Sequence, residues 1–144
     1  MSERPRFSPT IALLTVSRIA EVRIAALLEP HGLTLRKYAI LGHIAATPGL
    51  SLSDLARRSA ITVQSVHTLI GSLVDAGLVQ SKVEGSGHAA QIRATTAGAA
   101  LLDRIAVAVE QLDAELFADP EMREVSAALA ALTTARMSRA EPQD

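Results

Sequence analysis

A helix predicted over residues 62–76 carries small polar side chains on the face opposite its apolar stripe. Steps of about 100° per residue place Gln64 and Thr68 on the polar face, with Ser65 and His67 on its flanks. A glutamine amide can pair with an adenine edge, and such a helix fits a major groove of about 12 Å width. The candidates for DNA contact are therefore Thr62, Gln64, Ser65, His67 and Thr68, and the alternative for each is a solvated or half-buried surface role.

Four basic side chains flank this helix in the sequence and suit contacts with phosphate. Arg57 and Arg58 precede it, and Lys82 and Arg93 follow it on alternating segments that direct them outward. Arginine and lysine contacts to phosphate position a protein on DNA without reading its sequence. The alternative for each of the four is a charge that contacts only solvent.

The residue types that catalysis and metal binding require are missing or poorly spaced. The absence of cysteine excludes a thiolate nucleophile, a disulfide framework and a cysteine-ligated zinc site. Neither a glycine-rich phosphate loop nor a Gly-x-Ser-x-Gly elbow occurs. The histidines, which lack metal-ligand spacing, are His31, His43, His67 and His88. The sequence therefore predicts a protein that is not an enzyme and that needs neither a metal nor another cofactor.

Composition and charge restrict the class of protein further. The 144 residues suit one domain with helical extensions, and the 2% of aromatic residues argues against base stacking on an aromatic platform. Residues 33–98 hold six basic and three acidic side chains, whereas residues 99–144 hold four basic and nine acidic. A mildly basic middle suits contact with phosphate. Acidic residues that merely solvate a terminal helix are the alternative.

Hydropathy indicates a soluble protein. Arg18, Glu21 and Arg23 interrupt the first apolar stretch, so no apolar run approaches the roughly 20 residues of a membrane span. The first residues lack the apolar segment of a signal peptide. We expect a cytoplasmic protein without a membrane partner.

Capping residues predict the helices of the first half. Ser8 with Pro9 starts a helix that ends near Pro30, and Thr34 caps a second helix. Ser53 caps a short helix over 53–59. The alternating residues 50–52 before it predict a short strand. The buried face predicted for the second helix consists of Tyr38, Leu41, Ile44 and Ala45.

The second half begins with a predicted β-hairpin. Gly77 ends the helix over 62–76, and residues 78–83 and 90–95 alternate as two strands, with Ile92 inward. Thr96 is the predicted cap of a long helix that Asp119 and Pro120 interrupt. A last helix is expected over 121–139.

Two short helices followed by a hairpin have the order of a winged helix-turn-helix, and the sequence resembles the MarR family of bacterial transcription regulators. The resemblance covers about residues 8–140, and its most specific pieces are Leu73-x-x-x-Gly77-Leu78-Val79 and Thr95-x-x-Gly98. Further similar pieces are Leu33-Thr34-Leu35, Leu50-Ser51-Leu52-Ser53-Asp54-Leu55-Ala56 and Val66 to Leu73.

The resemblance implies a mainly α fold, a winged helix-turn-helix with N- and C-terminal dimerisation helices. It divides the chain into an N-terminal dimerisation helix (1–32), a DNA-binding region (33–96) and C-terminal dimerisation helices (97–144), which form one intertwined domain. The implied partners are double-stranded DNA, a second copy of the chain and a small-molecule effector. Such a homodimer binds a pseudo-palindromic site, most often as a repressor, and a ligand that changes the spacing of its recognition helices weakens DNA binding.

Residues that could line an effector cleft lie on the first two helices. They are Arg18, Tyr38 and His43, and the alternative for each is a structural role.

Two departures from the family pattern support a second hypothesis. Thr68 stands where the recognition helix of the family usually has Arg, and Ser86 and His88 stand where the wing usually has Asp-x-Arg. The wing Arg of the family enters the minor groove, and His88 can replace it in part when protonated, below a pKa of about 6.5. The alternative is a winged-helix dimer without DNA binding that acts as a protein-interaction module or antirepressor.

Overall fold

A computed structural model describes residues 6–82 and 91–140, which are mainly helical with one antiparallel hairpin. The elements are α1 (Pro9–Leu28), α2 (Leu35–Ala46), α3 (Leu52–Ser59), α4 (Val63–Asp75), β1 (Val79–Lys82), β2 (Gln91–Ala94), α5 (Thr96–Leu116) and α6 (Pro120–Ala140). A 3₁₀ turn, Glu29–His31, follows α1. The predicted mainly α class with a hairpin wing is confirmed.

Two compact units divide the chain, Met1–Ala108 and Val109–Asp144. The first contains α1 to α4, the hairpin and the start of α5, and the second contains the end of α5 and α6. The functional division at 32/33 and 96/97 stays a prediction. No helix within residues 6–82 and 91–140 combines the length and the apolar composition needed to cross a membrane.

Side-chain caps start several helices where the sequence predicts them. Ser8 Oγ accepts from the Ile11 amide at 3.4 Å, and Thr34 Oγ1 accepts from the Lys37 amide at 3.2 Å. Each cap satisfies a backbone N–H that has no partner within the helix. The break predicted at Asp119 and Pro120 is also confirmed, because α5 ends at Leu116 and α6 begins at Pro120.

The start of α3 differs from the prediction. Ser51, not Ser53, is the cap, because Ser51 and Asp54 form a reciprocal capping box in which each side chain accepts from the other's backbone N–H. This pair satisfies two backbone donors at once. Residues 50–52 consequently form no strand, and Leu52 is the first residue of α3.

Two smaller predictions are also corrected. Ile40, which was not in the predicted buried face of α2, is fully buried, because α2 packs against α1, α3, α4 and β2. Ala45, which was predicted to be buried, is exposed. Thr95, not Thr96, caps α5, since Thr95 Oγ1 accepts from the Gly98 amide at 3.0 Å.

The core of the first unit surrounds α2 and α4. Its fully buried side chains come from every helix of that unit and from β2. They are Leu28, Ile40, Leu41, Ile44, Leu55, Val66, Leu73, Ile92 and Ile105. Because they share this core, α3, α4 and the hairpin are held together, and the polar face of α4 stays on the outside.

Candidate nucleic-acid interface

The turn between α3 and α4 is short and tightly bonded. Ala60 adopts a left-handed conformation with φ 52°, and its amide bonds the carbonyls of Ala56 and Arg57. The Ile61 amide then donates to the Ala56 carbonyl at 3.1 Å, and Ile61 is half-buried. These bonds close α3 and set the angle at which α4 begins, as a helix-turn-helix requires.

The first turn of α4 uses its hydroxyl groups internally. Thr62 Oγ1 accepts from the Ser65 amide at 3.1 Å and lies 2.8 Å from Ser65 Oγ. Thr68 Oγ1 donates to the Gln64 carbonyl at 3.1 Å. The Gln64 side chain is exposed. Gln64 is therefore the candidate base reader whose polar side chain is most available.

His67 is exposed rather than half-buried. It lines a cavity of about 370 Å³ together with Asp75 of α4, Ser81 of β1 and Ile92 of β2. The structure therefore places His67 on the side of α4 that faces the hairpin.

The two arginines at the end of α3 are held by different partners. Arg57 forms an ion pair with Asp54 of the same helix. Arg58 Nη1 donates at 3.3 Å to the Oγ1 of Thr47, the residue that follows α2. The side-chain and backbone hydrogen bonds from Ser51 lower the pKa of Asp54, and Arg57 lowers it further. Both arginines are exposed, as phosphate contact requires.

The hairpin places its two cationic side chains on one face. Its register pairs Gln80 with Arg93 and Lys82 with Gln91. Because paired residues share a face and alternate residues return to it, Lys82 and Arg93 lie on the same side. Both are exposed, whereas Ile92 is buried on the other side, so the predicted alternation is confirmed. His88 and Ser86 lie outside the described residues.

A clamp at the base of the hairpin was missed by the sequence reasoning. Thr95 Oγ1 donates to the Gly77 carbonyl at 2.7 Å while it accepts from Gly98, and the Thr95 amide bonds the Leu78 carbonyl at 3.0 Å. A Cβ on Gly98 would lie 2.2 Å from that same carbonyl oxygen. The Thr-x-x-Gly spacing is the sequence feature from which the clamp could have been predicted, because only glycine permits so close a backbone approach.

The candidate effector residues lie in different environments. Arg18 pairs with Glu21 on the exposed surface of α1 at 3.0 Å, and Tyr38 is half-buried. His43 lines a cavity of about 200 Å³ together with Arg36 and Arg58. Neither Arg18 nor Tyr38 lines that cavity, so the structure does not bring the three candidates together there.

Within residues 6–82 and 91–140, no group of three or more histidine, aspartate or glutamate side chains could hold a metal ion.

Comparisons with known proteins agree with this geometry. The model of the MarR family matches residues 31–89. The HTH-type transcriptional repressor Rv2887 of Mycobacterium tuberculosis is 34% identical over 116 residues, which are 78% of this chain and 84% of that repressor. The repressor Mb2911 of Mycobacterium bovis matches with the same values.

Solved structures show the same fold. The complex of Rv2887 with DNA aligns with a TM-score of 0.74 and 30% identity, covering 88% of this chain and 98% of that one. Its complex with salicylic acid aligns with a TM-score of 0.71 and 30% identity, covering 90% of this chain and 99% of that one. MepR of Staphylococcus aureus aligns with a TM-score of 0.73 and 20% identity, covering 91% of this chain and 99% of that one. This lower identity supports the fold alone.

The fold and the placement of α3, α4 and the hairpin define a winged helix-turn-helix protein. The family model and the mycobacterial relatives make the assignment narrower: this chain belongs to the MarR family.

Proposed function

We propose that this protein is a cytoplasmic transcriptional repressor that binds a pseudo-palindromic duplex as a homodimer. The observation that carries the proposal is the exposed polar face of α4, which follows the exposed cations Arg57 and Arg58. The related repressor Rv2887 is solved in complex with DNA, and the proposal transfers that partner to this chain. Its role is regulation rather than catalysis.

In this proposal α4 enters the major groove with its N-terminal end toward the bases. Gln64 reads a base edge, and Thr62, Ser65, His67 and Thr68 complete the contact surface of the helix. Arg57, Arg58, Lys82 and Arg93 contact phosphates, and His88 adds a contact from the wing. The exposure of Gln64 and of the four cations supports these roles.

The exposed apolar side chains of α1 support a homodimer. Six large apolar residues of this helix are between 39% and 63% exposed: Ile11, Leu13, Leu14, Val16, Ile19 and Val22. A group of large apolar side chains exposed on one helix suits an interaction surface. A second copy of α1 buries it by a two-fold contact, which also places the two α4 helices at half-sites about one helical turn apart.

A small-molecule effector is the proposed signal. Solved complexes of Rv2887 with salicylic acid and with p-aminosalicylic acid motivate this part of the proposal. An effector that prefers the spacing of the recognition helices found off DNA lowers DNA affinity by shifting the population toward that state.

Thr68 favours a second candidate function, that of a protein-interaction module or antirepressor. Its hydroxyl is bonded to the Gln64 carbonyl, so the middle of α4 offers little to a base where the family usually presents an arginine. A winged-helix dimer of this kind would keep the fold and the dimer and lose DNA binding.

Selection of binding sites from random duplex DNA, followed by titration at several salt concentrations, separates the two functions. If four cations per subunit each neutralise one phosphate, the dimer releases about eight counterions and log K falls against log salt with a slope of about −7. Fluorescence anisotropy of the selected duplex measures that slope. Recovery of no motif by a folded dimer, or a slope near zero, favours the interaction module.

A further inference from the structure

The first residue of α4, Val63, leaves much of its apolar side chain in water, since it is 45% exposed. At a helix start, the apolar residue before the cap commonly packs against the fourth residue of the helix. Those two positions belong here to Ile61, which is half-buried, and to Val66, which is fully buried. Valine is also a weaker helix former than alanine. Neither local packing nor helix propensity therefore accounts for a valine at position 63.

The position of Val63 in the fold indicates what its side chain can contact. Val63 lies directly between the cap residue Thr62 and Gln64, the candidate base reader. In a helix-turn-helix, the N-terminal residues of the recognition helix approach the base edges. The exposed cations Arg57 and Arg58 precede this end of α4 and complement the negative charge of a duplex. A contact of Val63 with bases rests on the proposed function, because α4 must first enter the major groove.

The hydroxyl groups at this end of α4 offer few hydrogen bonds to a base. The side-chain oxygens of Thr62 and Ser65 lie 2.8 Å apart. The Thr68 hydroxyl donates to the Gln64 carbonyl at 3.1 Å. Val63 therefore presents methyl groups where its neighbours have their hydroxyls engaged. Thymine is the base that presents a methyl group in the major groove, and apolar side chains recognise it by contact with that group.

From this juxtaposition we propose that Val63 reads a thymine of the operator by packing against its 5-methyl group. The contact removes apolar surface of both partners from water, which favours binding. Cytosine is disfavoured at this position, because it lacks the methyl group and presents an amino donor that the valine side chain cannot bond. Gln64 reads a separate base edge. Each half-site therefore contains a thymine methyl within reach of Val63 and a base edge within reach of Gln64.

Replacement of thymine by deoxyuridine in the selected duplex tests the contact, because deoxyuridine lacks only the methyl group and still pairs with adenine. Each thymine of the half-site is replaced in turn, together with its symmetry mate, and fluorescence anisotropy measures the dissociation constant. We expect one position at which the replacement weakens binding about fourfold for each half-site, as the loss of one buried methyl-sized group implies. A duplex in which no thymine is sensitive to the replacement would overturn the proposal.

The Val63→Ala variant assigns the sensitive thymine to this side chain. It should bind the thymine duplex about fourfold more weakly for each half-site and should no longer distinguish thymine from deoxyuridine at that position. Alanine is a good helix former, so α4 should still begin at this residue. Val74→Ala is the matched control, because it truncates a valine that is 38% exposed near the opposite end of α4, and it should retain the discrimination. Discrimination that persists in Val63→Ala, or that both variants lose equally, would reject the role of Val63.

The same duplex distinguishes failure of this contact from failure of the proposed function. If the affinity falls in Gln64→Ala but is unchanged by deoxyuridine at every position, α4 reads bases and the contact of Val63 is wrong. If the folded dimer selects no duplex, the DNA-binding function fails and the thymine contact fails with it. Sensitivity of one thymine that Val63→Ala removes and Val74→Ala retains would establish the contact.

Discussion

Single side chains of α4 differ in what they can offer to DNA. The hydroxyls of Thr62, Ser65 and Thr68 are bonded within the helix. If α4 binds DNA as proposed, we expect base reading in this part of the helix to depend mainly on Gln64. A bidentate contact of an amide with adenine discriminates bases by about 1–3 kcal/mol.

The Gln64→Ala variant tests this dependence. Its affinity for the selected duplex should fall by about 1–3 kcal/mol, while its affinity for random DNA changes little, because the phosphate contacts remain. Anisotropy titrations on both duplexes measure the difference. Gln111→Ala, an exposed glutamine of α5, is the control and should affect neither. An equal loss on both duplexes for Gln64→Ala would contradict base reading.

The sequence predicted single side chains well where a local rule determines their role. Ser8 and Thr34 cap helices as predicted, because each precedes a helix and reaches its first turn. Ser53 was the wrong choice, because Ser51 and Asp54 satisfy two donors together. The bond from Arg58 to Thr47 joins residues 11 positions apart, and such contacts have no signal in local spacing.

Elements were easier to predict than the contacts between them. Within residues 6–82 and 91–140, periodicity and capping residues located the six α-helices and both strands to within about two residues, because helical and strand repeats differ clearly. They did not predict the 3₁₀ turn, Glu29–His31. The clamp formed by Thr95, Gly77 and Gly98 depends on the approach of two backbone segments and was not predicted.

A pair of glycine substitutions tests this clamp. Gly98→Ala places a Cβ 2.2 Å from the Leu78 carbonyl oxygen and should lower the free energy of unfolding by about 1–3 kcal/mol through overpacking. Gly71→Ala, in the interior of α4 with nothing within 4 Å of its added Cβ, should raise it by up to about 1 kcal/mol through helix propensity. Urea unfolding at one protein concentration measures both. Equal effects of the two substitutions would show that the close approach is unimportant.

At the scale of the whole molecule, the exposed apolar face of α1 has the largest predicted consequence. The structure leaves six large apolar side chains of this helix between 39% and 63% exposed. Dimerisation is proposed because an isolated chain would expose this face to water.

The Ile19→Glu variant tests the dimer. Burying a carboxylate at this contact should raise the dissociation constant of the dimer at least about tenfold, because a desolvated charge without a partner is costly. Sedimentation velocity measures this constant. Val74→Glu, which changes an exposed valine at the end of α4, is the control and should leave the dimer intact. A monomeric wild-type protein, or unchanged dimerisation of Ile19→Glu, would contradict the proposed interface.

The clamp at the base of the hairpin also bears on how this regulator can diversify. The Thr95 hydroxyl and the close approach of Gly98 to the Leu78 carbonyl attach the base of the hairpin to α5, so the attachment does not depend on which residues join the strands. Selection can therefore alter positions such as Ser86 and His88 while Thr95 and Gly98 stay unchanged and keep the hairpin attached. Relatives with new operator preferences can arise by drift at those positions without first acquiring a new fold.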